Sequence, residues 1–123
     1  MPVTRLSPRE AFARMTGEGF AYLDVRDADE FEDGHPAGAV NVPWGPGGEA
    51  FVAAASRAFA KDAPIVVGCQ KGARSLRAAE ALLAAGFTRV VEQRAGWDGS
   101  RGTFGELVEP GWRREGLPSS SGA

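Results

Sequence analysis

The sequence predicts a three-layer α/β fold, with a central, mainly parallel sheet and helices on both faces. Short apolar runs suited to buried strands alternate along the chain with segments of helical periodicity. The clearest run, Ile65-Val66-Val67-Gly68, is apolar throughout, as a central parallel strand covered on both sides must be. Strands separated by helices need crossover connections, which are right-handed and leave neighbouring strands parallel.

Composition bounds the function classes. A chain of 123 residues has the length of one domain and buries roughly two-thirds of its unfolded surface. Its 43% hydrophobic and 24% charged residues sit near the globular average, which argues against global disorder. With 14 Lys and Arg against 16 Asp and Glu, the net charge is −2 and no basic stripe stands out, so no nucleic-acid partner is expected. One cysteine excludes an intramolecular disulfide framework and a multi-thiolate zinc site, and one histidine excludes a His-rich metal site. No metal or organic cofactor is implied. No apolar run approaches the ~18 residues of a membrane span, and the first residues lack a signal-peptide core. The expectation is a soluble, cytoplasmic protein without a membrane partner.

The elements follow in order. Residues 3–6 suit a short edge strand. Ser7-Pro8-Arg9-Glu10 is a helix start: Ser7 caps, Pro8 fits the first turn, and Glu10 closes a capping box. Ala11, Phe12 and Met15 give that helix an apolar face until Gly17 and Gly19 stop it. Residues 20–25 read as a buried strand, and residues 29–33 as a short acidic turn or helix closed by Gly34. Residues 39–42 are a second strand ended by Pro43, followed by the loop Gly45-Pro46-Gly47-Gly48. Residues 49–60 carry Phe51, Val52, Ala55 and Phe59 at helical spacing. After the central strand come a glycine-bearing loop, residues 69–74, and a helix over residues 75–85 with Ser75 as its cap. That helix stops at Gly86, and residues 89–91 form the last strand. Beyond Gly96 an excursion is expected to pack Phe104, Leu107, Val108 and Trp112 over the core. The domain is expected to span residues 1–117, with 118–123 a disordered tail.

The chemistry lies in Gly68-Cys69-Gln70-Lys71-Gly72-Ala73-Arg74-Ser75. In open α/β sheets the crevice beyond the strand C-termini binds ligands. A strand there delivers the single cysteine to a loop that curls before a helix. Gly72 lets the backbone take an unusual angle, so that several N–H groups turn inward. The positive helix end adds to the same field, and Lys71 and Arg74 supply cations at the rim. The arrangement favours an anion at the loop centre, and the first such anion is the Cys69 thiolate itself. A lone cysteine is most often a small buried hydrophobe, but this position favours a reactive thiol.

Attack on phosphorus and attack on sulfur both suit such a thiolate. Cysteine phosphatases place their arginine one position later than Arg74, where this chain has Ser75, and usually precede the cysteine with histidine rather than Gly68. The shorter loop closes on a smaller object, such as one extra sulfur atom held as a persulfide. In a two-step displacement the thiolate takes the outer sulfur of a donor such as thiosulfate and expels sulfite. Cyanide, a small thiol or a protein thiol then removes the sulfur. Neither step needs a general base if the thiol is already ionised.

These segments resemble the single-domain rhodaneses, or thiosulfate sulfurtransferases. Leu23-Asp24-Val25-Arg26 with Glu30-Phe31 is similar to the family's first signature. Gly34-His35-Pro36-Ala37-Gly38-Ala39-Val40-Asn41-Val42-Pro43 is similar to its turn-and-strand motif, with Pro36 where isoleucine is usual. Cys69-Gln70-Lys71-Gly72-Ala73-Arg74-Ser75 resembles its active loop and helix start. The resemblance implies a rhodanese-like domain, with Cys69 as sulfur carrier and the loop amides as its cradle. Two departures lie downstream: only Gly96 remains of the usual glycine pair, and residues 98–116 run longer than the usual ending.

The expected roles are Cys69 as nucleophile and Gln70, Lys71, Gly72, Ala73, Arg74 and Ser75 as the substrate-binding loop. Arg74, then Lys71, would attract the donor anion. Asp24, Arg26, His35 and Asn41 are read as structural support of the site. Trp44 either borders the pocket or packs in the core, and Trp97 and Trp112 are read as core or lid packing. The acidic group Asp27, Asp29, Glu30, Glu32 and Asp33 lacks the pattern of a calcium loop and reads as a solvated face. Two other functions compete: a persulfide-carrying or thiol-sensing interaction module with little thiosulfate turnover, and a small cysteine phosphatase.

Overall fold

The computed structural model describes residues 2–123. Five parallel strands form the central sheet: β1 (Arg5–Leu6), β2 (Ala21–Asp24), β4 (Val40–Asn41), β5 (Ile65–Gly68) and β6 (Val90–Gln93). Their order is β1-β6-β5-β2-β4, so β5 lies at the centre with all of its residues buried. Helices α1 (Pro8–Glu18), α2 (Ala28–Asp33), α3 (Gly48–Ala58) and α4 (Ala73–Ala84) connect them. The α/β architecture expected from periodicity is present.

Strand side chains alternate between faces, and two cores result. Leu23, Ile65, Val67 and Val90 pack with Phe51, Ala78 and Leu82 under α3 and α4. Tyr22, Val66 and Val91 pack on the other face with Ala11 of α1 and with Trp112. Trp112 is fully buried, stands edge-on to Tyr22 and Phe12, and donates its indole N–H to the Pro118 carbonyl at 2.9 Å. The far end of the chain thus completes the layer that α1 only partly covers.

Local signals explain most element ends. The Ser7 hydroxyl accepts from the Glu10 amide at 3.1 Å, and Glu10 accepts from the Ser7 amide at 2.8 Å, which is the capping box. Helix α1 runs through Gly17 and ends at Gly19, whose φ of 71° is left-handed.

Three expectations are corrected. Helix α4 begins at Ala73, with Gly72 as its N-cap, so Ser75 lies inside the first turn and caps nothing. Of the apolar groups expected to pack after Gly96, Trp112 is buried in the second core, whereas Phe104, Leu107 and Val108 are not. The chain there forms a ribbon of β7 (Gly99–Arg101) and β8 (Leu107–Pro110), on which Phe104 is 93% exposed and Leu107 and Val108 face solvent. A two-stranded ribbon standing off the sheet has no layer to cover these side chains. The chain end also pairs: β9 (Ser119–Ser120) lies antiparallel to β3 (His35–Pro36), which satisfies backbone groups that a structureless tail would leave to water.

Candidate active site

The parallel register brings the site residues to one sheet edge. Asp24 stands beside Gly68 on one side and Asn41 on the other, so the turns after β2 and β5 emerge together. Gly68 has no room for a side chain, because a Cβ there would lie 1.9 Å from the Tyr22 hydroxyl. The next residue, Cys69, is 3% exposed. Apolar core lies on one side of it, and it lines a cleft of about 300 Å³ with Glu30, Gln70, Lys71, Ala73 and Arg74.

Gly72 turns the loop. Its φ is 103°, and its amide points at the Cys69 Sγ from 3.1 Å. Among the described residues, that is the backbone N–H within hydrogen-bond distance of the resting sulfur. The amides of Ala73, Arg74 and Ser75 are first-turn groups of α4, which have no partner within the helix. A Cβ on Gly72 would sit 2.2 Å from the Arg94 carbonyl oxygen, which is backbone and has little room to give. Gly72→Ala is therefore expected to lose about 1–3 kcal/mol of stability and to slow sulfur loading of Cys69 more than about tenfold. Thermal unfolding and the loading rate, measured together, check this; an unchanged rate refutes the geometric role of Gly72.

Beneath the loop lies a buried polar post. Arg26 holds the Asp24 carboxylate through Nε at 3.0 Å and Nη2 at 2.8 Å, and reaches the Gly34 carbonyl at 2.6 Å. Its Nη1 donates to the Gln70 side chain at 3.0 Å, and its guanidinium lies 5.3 Å over the Trp97 ring. Asn41 Nδ2 donates to the Asp24 and Arg26 carbonyls at 3.0 and 2.9 Å, tying the two turns together. His35 stacks on Phe31 with centroids 3.6 Å apart, and its Nδ1 lies 2.6 Å from the Phe31 carbonyl. The loop is also clamped from behind, since the Trp97 and Asp98 amides donate to the Cys69 and Gln70 carbonyls at 2.8 and 3.0 Å.

One expected placement changes, and Trp44 takes the packing arm of its two readings. Arg74 is not a free cation at the rim: it pairs with Glu30 through both guanidinium amines, at 2.8 and 3.0 Å. The pairing holds the Glu30 carboxyl below its ordinary range, chiefly through the Arg74 hydrogen bonds. Lys71 is exposed and makes no ion pair among the described residues. Trp44 is drawn away from the cleft: its ring packs on Phe51 at 5.1 Å, and Gly47 closes beneath it.

Sequence reasoning missed Glu30, Glu92 and Arg5. Glu30 had a signal in its capping spacing from Asp27, whose amide it accepts at 3.0 Å. Glu92 had a signal in strand period: continued past Val91, β6 turns position 92 to the face of Val90 and α4. Arg5 stands opposite Glu92 in the β1–β6 register, a pairing that only the sheet order reveals.

The comparisons with known proteins agree on one family. The model of the rhodanese-like domain matches residues 7–101. Over 110 residues the chain is 37% identical to thiosulfate sulfurtransferase 16, chloroplastic, of Arabidopsis thaliana, covering 84% of this chain and 82% of that protein. It is 28% identical to the thiosulfate sulfurtransferase GlpE of Actinobacillus pleuropneumoniae, over 94% of this chain and 91% of that protein. Among solved structures, the crystal structure of Rv0390 from M. tuberculosis superposes with a TM-score of 0.81 at 26% identity, covering 99% of this chain and all of that one.

Proposed function

Starting from the fact that this chain belongs to the rhodanese-like domain family, we propose that it moves a sulfane sulfur from a thiosulfate-like anion to a cyanide or thiol acceptor through a persulfide on Cys69. The observation that carries the reading is the Gly72 amide aimed at the Cys69 sulfur at the mouth of a small cleft. The thiolate attacks the outer sulfur of the donor, an S–S bond forms, and sulfite leaves with the electron pair of the bond that breaks. Lys71 and the first-turn amides of α4 favour the donor's negative oxygens, while Arg74 positions the rim through Glu30. An acceptor thiolate or cyanide then takes the terminal sulfur and releases Cys69. A reducing compartment such as the cytoplasm suits a free, reactive cysteine.

One observation favours a second reading, a persulfide carrier that serves a protein thiol. The exposed β7–β8 ribbon flanks a cleft of about 530 Å³ that shares Lys71, Gly72 and Ala73 with the Cys69 loop. The test is mass spectrometry of the purified protein. Thiosulfate treatment is expected to add about 32 Da to Cys69, and cyanide to remove it. A persulfide discharged by protein thiols but not by cyanide supports the carrier reading. No mass gain, with hydrolysis of an aryl phosphate that depends on Cys69, overturns sulfur transfer in favour of phosphatase chemistry.

A further inference from the structure

A chain of polar contacts runs inward from the nucleophile, away from the cleft. The Cys69 Sγ lies 3.2 Å from the Ser75 Oγ, and that hydroxyl donates to Glu92 Oε2 at 2.5 Å. The other carboxylate oxygen, Oε1, accepts from Arg5 Nε at 2.6 Å. Ser75 and Glu92 are fully buried, whereas Arg5 reaches the surface. Ser75 has one proton. With that proton committed to Glu92, its oxygen offers lone pairs to the sulfur, which is the polarity a thiol requires of a proton acceptor.

We propose that Glu92 takes up the Cys69 proton through the Ser75 hydroxyl, leaving the sulfur ionised for attack. The step rests on the sulfur-transfer reading for its purpose and balances within the protein. The S–H proton moves to Ser75 Oγ as the Ser75 proton moves to Glu92 Oε2. The products are a thiolate and a neutral carboxylic acid, and the chain of hydrogen bonds is reversed. The thiolate then accepts from both the Ser75 hydroxyl and the Gly72 amide. No base from the solvent or the donor is needed, and His35, bonded to Phe31, takes no part.

A burial argument favours this function over a purely structural one. A carboxylate removed from water is costly even when paired with one arginine. With the proton on Oε2 the carboxyl donates to the Ser75 hydroxyl while Oε1 still accepts from Arg5, so the transfer leaves no buried polar atom without a partner. The other charged or titratable groups facing this chain are Tyr22 from β2 and Arg74 from α4, with Glu80 facing Arg5. Tyr22 is held in its neutral form by burial, and Arg74 is occupied by Glu30.

The test is the pH profile of Cys69 alkylation by iodoacetamide, followed by mass, in a protein with a single cysteine. While the pair Cys69–Glu92 holds one proton between them, the thiolate fraction does not depend on pH. The wild-type rate is therefore expected to change less than about twofold across the two units below the ordinary thiol value of about 8.5. Glu92→Gln keeps the shape and removes the acceptor, and its rate is expected to fall about tenfold per unit. Ser75→Ala removes the link and is expected to slope in the same way. Charge repulsion alone predicts the opposite for Glu92→Gln, a faster reaction at every pH, and that result overturns the relay. A wild-type profile that is flat and a Glu92→Gln profile that slopes, without a persulfide, uphold the relay and overturn sulfur transfer, whereas profiles flat in both proteins assign the thiolate to the loop amides and overturn the relay. A persulfide with a sloping wild-type profile overturns the relay alone.

Discussion

Cys69→Ser is expected to abolish sulfur transfer while leaving the fold in place. The serine oxygen occupies nearly the same volume and still accepts from the Gly72 amide, so the loop keeps its turn and stability changes by less than about 1 kcal/mol. Reactivity does not survive, because a serine hydroxyl stays protonated and oxygen is a poor partner for a sulfur electrophile. Thiocyanate formation from thiosulfate and cyanide is expected to fall at least about a thousandfold, with no sulfur retained on the protein. The measurement is the thiocyanate rate beside a thermal melt of the same sample. Residual transfer above about one per cent, in protein that melts like wild type, removes Cys69 from the centre of the chemistry.

The largest effect on stability is expected at Arg26. Its guanidinium is buried with the Asp24 carboxylate and the Gly34 carbonyl, which have no water to fall back on, and it also holds the half-buried Gln70 side chain. Arg26→Met keeps most of the volume but leaves Asp24 as an uncompensated buried charge. The expected loss is about 3–5 kcal/mol, or roughly 10–20 °C in melting temperature. Lysine does not rescue it, since a point charge cannot reach three acceptors arranged around a planar fork. Adding Asp24→Asn to Arg26→Met is expected to recover part of the loss by removing the orphaned charge. A single variant that melts within about 1 kcal/mol of wild type shows that the post is not what holds the turn.

Legibility followed the range of the interaction. The Ser7–Glu10 capping box, the central strand Ile65–Gly68 and the turn at Gly72 are set by residues within a few positions, and each was readable in order. Cys69 was singled out as the candidate nucleophile because a strand end, a glycine and a helix start lie within one short stretch. The bounds of α4 were misread because Ser75 has the chemistry of a cap. The left-handed Gly72 takes that place, and Ser75 is left free to face Cys69 and Glu92. Arg74 was read as a free cation because Glu30, its partner, lies far away in sequence and close only in the fold.

By itself the amino-acid order determined the layered α/β plan, the place of Cys69 at the end of the central strand and the turn that presents it. Periodicity, caps and glycine conformations are local and leave their mark on the chain. Tertiary structure alone decided which charges meet: Arg5 with Glu92 across parallel strands, Arg74 with Glu30 across the cleft, and Arg26 with Gln70 beneath the loop. It also decided that Trp112 closes the second core while Phe104 stays in water. Charge pairing and burial depend on distance in space, and spacing along the chain carries no record of it until the strands have taken their order.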